Sequence, residues 1–111
     1  MAIGLAGSAL VAARAGRREE ARATLRSVDS LASSYSPAPL HTAVFVAEAY
    51  AGLGETIRAI AWLSRYAPRA DLHFQLHLRC DPSLTSLAEA AAFRALLLPG
   101  RPRGKDGCGK Q

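Results

Sequence analysis

Apolar residues recur along this chain at helical spacing, and no stretch shows the period-two alternation of a half-buried strand. Residues 2–15 are small and apolar and predict a first helix. Gly16 ends it, because a left-handed residue after a helix costs least at glycine. A second helix is predicted from Arg17 to about Ser34, with Ala21, Leu25, Val28 and Leu31 or Ala32 as its apolar stripe. Glu19 and Glu20 sit in its first turn, where the helix dipole favours negative charge. Pro37 and Pro39 stop this helix and open a third over 39–53, with Ala43, Val46, Ala47 and Tyr50 facing inward. Gly54 ends the third helix. A fourth runs from 55 to about 67 and closes at Pro68. Asp71 is a candidate N-cap for a short fifth helix through Leu78. Asp81-Pro82-Ser83 interrupts the chain, and a last helix is predicted over roughly 84–97. Its core face is Leu87, Ala91 or Ala92, Phe93 and Leu96. From Pro99 onward Gly, Pro and Lys/Arg leave nothing to bury, so a disordered basic tail over 99–111 is expected after a helical domain over 1–98.

The first two helices and the next two share a pattern. At an offset of 38, Ala9 meets Ala47, Ala13 meets Ala51, and Gly16 meets Gly54. Ala21 then meets Ala59, Ala23 meets Ala61, and Leu25 meets Leu63. The glycine and leucine pairs carry the most weight in an alanine-rich chain. The reading is two helical hairpins, with Ala59 small enough for close helix approach and Tyr50, Trp62 and Leu63 filling the space around it.

This spacing resembles a tetratricopeptide (TPR) repeat, a helix–turn–helix unit of about 34 residues. From Tyr35 to Leu97 the chain is similar to the TPR module at the C-termini of bacterial multidomain regulators, which accompanies cyclase, kinase or winged-helix domains. The matching residues are Tyr35 and Pro37, Leu53-Gly54, and Ala59-Ile60-Ala61-Trp62-Leu63. They continue as Leu78-Arg79-Cys80-Asp81-Pro82, Leu87, and Phe93-Arg94-Ala95-Leu96-Leu97. The family's second Asp-Pro is replaced here by Ala90 and Ala91, so a straighter last helix is expected. The resemblance implies an all-α superhelix of two TPR-like hairpins plus two C-terminal capping helices. It implies a scaffold that binds a protein or peptide partner, and no catalytic residues. The TPR positions that face the groove fall on His41, Val44, Glu48 and Ala51 in the second repeat. In the first they fall on Ile3, Ala6, Leu10 and Ala13. Such a groove is mainly apolar, with Glu48 its one charge.

Composition adjusts this picture in few places. The formal charge is +5, but Arg101, Arg103, Lys105 and Lys110 against Asp106 put +3 of it in the tail. Arg18, Arg22 and Arg26 line one face of the second helix, which makes a nucleic-acid-associated domain the alternative reading. No aromatic residues are interleaved with them, and a solvated face is the favoured account. Two cysteines do not make a disulfide framework, so a reducing, cytoplasmic setting is expected. No stretch has the length of a membrane helix, and no positive n-region precedes residues 2–13 to make a signal peptide.

No enzyme chemistry is expected. Glu19 and Glu20 are adjacent and point about 100° apart on a helix, so they do not oppose one another as acid and base. No nucleophile motif or phosphate loop is present. His73, His77 and Cys80 have spacing that places two imidazoles and a thiolate near one ion, yet no fourth ligand is evident beyond Asp71 or Asp81 as candidates, and neither a metal nor a cofactor is expected. Residues 2–13 are apolar nearly all round, whereas terminal repeats usually carry a polar outer face. Either a further repeat precedes them, or the chain self-associates through this helix, with some of Ile3, Leu5 and Leu10 as its exposed residues.

Overall fold

A computed structural model describes the backbone of residues 2–32, 40–66 and 71–98, and the side chains from residue 7, except Ala32. Among the described residues all regular structure is helical. The elements are α1 (Ala2–Arg14), α2 (Arg18–Ala32), α3 (Leu40–Gly52), α4 (Thr56–Ser64) and α5 (Leu72–Cys80). A 3₁₀ helix (Pro82–Leu87) and the short α6 (Ala91–Arg94) follow.

The two predicted hairpin corners have one geometry. Gly16 and Gly54 both lie in the left-handed region, at φ 82° and 80°. At the first corner the Arg17 N–H donates to the Ala12 carbonyl at 2.9 Å and the Gly16 N–H to Ala13 at 3.1 Å. At the second, Glu55 donates to Tyr50 at 2.9 Å and Gly54 to Ala51 at 3.0 Å. Each pair of bonds satisfies carbonyls that the helix end leaves open. The offset of 38 is thus repeated bond for bond. Arg18 adds to the second corner by donating from Nη2 to the Leu53 carbonyl at 2.8 Å.

α1 packs against α2 and also against α3, and α3 packs against α4. The hairpins therefore stack through their first helices. Ala9, Ala47, Ala21 and Ala59 are all fully buried, as are Leu25 and Leu63. Small residues let the helices approach, and each buried leucine adds about 1.5–3 kcal/mol of transfer energy. The predicted inward set of α3 is buried, and so are Thr42, Val44, Glu48, Ala49 and Ala51. α3 is covered nearly all round because it is the middle element.

The C-terminal third departs from expectation. Asp71 does cap α5, its side chain accepting from the His73 N–H at 2.8 Å. The single last helix is absent. The chain makes a 3₁₀ helix, turns, and restarts at α6 with Ala90 extended (φ −77°, ψ 129°). On one continuous helix Phe93 would lie about 240° around from Leu87. The break re-aims it, and Leu84, Leu87 and Phe93 are all fully buried. Ala91 and Ala92, predicted on the core face, are exposed. The interruption thus persists without a second Asp-Pro. Gln75 ties down the last described residues: it donates to the Leu96 carbonyl at 3.0 Å and accepts from the Leu98 N–H at 3.1 Å.

Candidate functional site

The face shared by α1 and α3 is where a groove was expected, and the 3₁₀ segment lies against α3 there. Leu84 and Leu87 point inward, and Arg14, at the end of α1, donates from Nη2 to Ser83 Oγ at 2.8 Å. The chain's own residues 81–87 therefore occupy part of this face. Of the predicted groove residues whose side chains are described, Val44, Glu48, Ala51 and Leu10 are buried, Ala13 is half-buried, and His41 is exposed. His41 makes an edge contact with Phe45, ring centroids 6.0 Å apart. The side chains of Ile3 and Ala6 lie outside the described residues. The correction has a physical cause: an apolar face on α3 is satisfied in cis by two leucines spaced three apart.

Glu48 is the centre of this contact. It is 7 % exposed in the middle of α3, and its carboxyl group hydrogen-bonds that of Asp81. Burial pushes the Glu48 carboxyl up to about 8, and the Asp81 bond and charge push it the same way, against a smaller opposing effect of Arg14. Asp81 is shifted in the other direction. Burial raises it, but bonds from His77, Glu48 and the Ser83 N–H outweigh burial and hold it below the usual carboxylate range. One proton is shared by the pair, carried mainly on Glu48. The Ser83 N–H reaches Asp81 Oδ1 at 2.9 Å, and His77 Nδ1 lies 3.5 Å from Oδ2.

The predicted ligand trio does not assemble as drawn. His73 is exposed, and the Cys80 sulfur is not a free thiol. His77 turns instead towards Glu48 and Asp81, and one donor atom from each of the three lies within 4.8 Å of the others. Sequence reading placed His77 and Asp81 near one another but missed Glu48, which is far from both in the chain. One signal was available: at the offset of 38 an acid on α3 stands where the first repeat has Leu10.

A second polar junction ties the hairpins together. Asp29 on α2 accepts from Tyr50 Oη at 2.6 Å and from Trp62 Nε1 at 2.8 Å. Burial, then the bond to Asp29, raises the Tyr50 hydroxyl above its ordinary value. The arginine stripe is largely engaged nearby. Arg22 pairs with Glu55 at 3.2 Å, and Arg18 holds the α3 terminus. Arg58 also reaches Glu55, at 3.3 Å. Leu10, expected to face outward, is buried, whereas Val11 is 60 % exposed; the side chains of Ile3 and Leu5 lie outside the described residues. No described helix is long and apolar enough to cross a membrane.

No protein-family model matches this sequence, and no curated protein or solved structure matches it.

Proposed function

We propose that this is a TPR-like protein-interaction module of a bacterial regulatory protein, which holds a partner segment or a neighbouring domain. The observation that carries the reading is the seating of Leu84 and Leu87 beside α3. An α-helical layer that buries one short apolar segment in cis has the chemistry to hold another in trans. The two matched Gly corners and the α1–α3 stacking support the repeat architecture on which such surfaces are built.

The nucleic-acid alternative has less to stand on, since two of its three stripe arginines, Arg18 and Arg22, are engaged within the chain; Arg26 is exposed, and the basic tail lies outside the described residues. The two readings separate in one experiment. A photo-reactive residue is placed at His41, on the exposed edge of the face, and another at Ile57, exposed on α4. Both are irradiated in extract at about 50 mM and about 200 mM salt. Protein adducts at His41 that persist across this range support the interaction face. Adducts that vanish with salt point to phosphate-driven contacts, whose affinity falls steeply over the same interval. Protein adducts from Ile57 alone would move the interaction to the outer helices.

A further inference from the structure

We propose that Glu48, His77 and Asp81 form a binding site for one divalent transition-metal ion, with Zn²⁺ the first candidate. The three donors come from the middle of α3, the last turn of α5 and the joint between α5 and the 3₁₀ helix. Their donor atoms lie within 4.8 Å of one another. An ion bound at about 2.0–2.2 Å from each needs donors roughly 3.4 Å apart, so the widest side of this triangle closes by up to about 1.4 Å on binding. The His77 side chain, 38 % exposed, has the freedom to supply this movement.

Charge favours an ion here. Two carboxyl groups meet in a buried place, and the nearby cation, Arg14, spends its Nη2 on Ser83 Oγ. An ion would take the place of the proton now shared by the pair, which leaves to solvent; two carboxylates, a neutral imidazole and a divalent cation then sum to zero. The imidazole selects zinc and its neighbours over magnesium and calcium, which prefer all-oxygen shells. Asp81 is already oriented: the Ser83 N–H holds Oδ1 and leaves Oδ2 towards His77. Bonds of this kind set the direction of a metal ligand.

The site has access and room. An open pocket of about 350 Å³ borders two of the three ligands, His77 and Asp81, and is lined further by His73, Leu76, Cys80 and Pro82; Glu48 does not line it. It leaves space for a water or a further ligand at the open coordination position, as three-ligand zinc sites have. A bound ion would join α3 to α5 and the 3₁₀ segment, so it would also stabilise the C-terminal third against α3.

The full chain, stripped with chelator and desalted, tests this by calorimetric titration with ZnCl₂, with MgCl₂ as a parallel arm. One Zn²⁺ per chain with a raised melting temperature, and no Mg²⁺ binding, is expected. Glu48→Gln and His77→Gln should each weaken Zn²⁺ binding at least about tenfold, and Glu19→Gln, at an exposed position on α2, should leave it unchanged. If Glu48→Gln does not fold, His77→Gln, at a half-exposed position, carries the comparison. The proposal is overturned by an absence of saturable Zn²⁺ binding, by equal Mg²⁺ binding, or by Zn²⁺ binding that survives His77→Gln.

Discussion

The two hairpins share a corner, a stacking helix and a set of buried alanines, yet they differ at two adjacent repeat positions. Leu10 in the first and Glu48 in the second occupy equivalent places and are equally buried, at 8 % and 7 % exposure. The neighbouring pair differs the other way: Val11 is 60 % exposed, while its counterpart Ala49 is fully buried. The difference teaches that the repeat fixes backbone geometry and leaves the surroundings free. α1 lies at one edge of the described structure. α3 is enclosed by α1, α4 and the 3₁₀ segment, and at Glu48 that enclosure brings a second acid. Burying an acid there is tolerated because Asp81 shares its proton.

The largest expected effect breaks this comparison at Glu48. Its carboxyl is raised from 4.5 to about 8 in the folded state, facing Asp81, His77 and Arg14. Between those values the folded protein holds a proton that the unfolded chain has released. Stability of the metal-free protein should therefore fall as pH rises through this window. The slope is up to about 1.4 kcal/mol per unit, levelling off above the folded value. Asp81 acts oppositely, since its stabilising contribution is present above 3.8 and is lost only in strong acid. Glu48→Leu, which copies the residue of the first repeat, should flatten the slope. Urea denaturation of both proteins in chelator at several pH values checks this; parallel slopes would show that Glu48 titrates normally.

The next effect tests what joins the hairpins. Asp29→Ala leaves the Tyr50 hydroxyl and the Trp62 indole N–H without their acceptor. A loss of about 2–4 kcal/mol is expected, with a red-edge change in Trp62 emission as water reaches the ring. An unchanged denaturation midpoint would mean that the hairpins are held by apolar contact alone.

Ala21→Leu and Ala59→Leu form a matched pair inside the two hairpins. Both residues are fully buried, so each enlargement should cost about 1–3 kcal/mol through overpacking. Comparable losses in thermal melts would sharpen the equivalence of the repeats, and a strong effect at one site only would break it.

The smallest effect belongs to the corners. A Cβ at Gly16 or Gly54 meets nothing within 4 Å, so the whole penalty is the left-handed backbone. Gly16→Ala and Gly54→Ala should each cost about 1–2 kcal/mol. Unequal costs, measured by denaturation, would show that one corner relaxes out of its left-handed geometry.

Local chemistry decided much of this protein from the sequence. Gly16 and Gly54 are legible as corners because only glycine adopts their backbone cheaply. Asp71 is legible as a cap because its carboxylate fits the free N–H groups of a helix start. The alanine and leucine matches foretold the burial of Ala21, Leu25, Ala59 and Leu63, because periodicity puts them on one face. The tertiary structure decided the rest. Whether Leu10 or Val11 faces outward depends on the angle at which α1 meets α2 and α3, which no local preference sets. The break at Ala90 has no turn residue to announce it; it follows from the need to bury Leu84, Leu87 and Phe93 together. The pairing of Glu48 with Asp81 and His77 joins residues from three separate segments. Each is an ordinary polar residue in its own segment, and only the packing of the C-terminal third against α3 makes them one buried group.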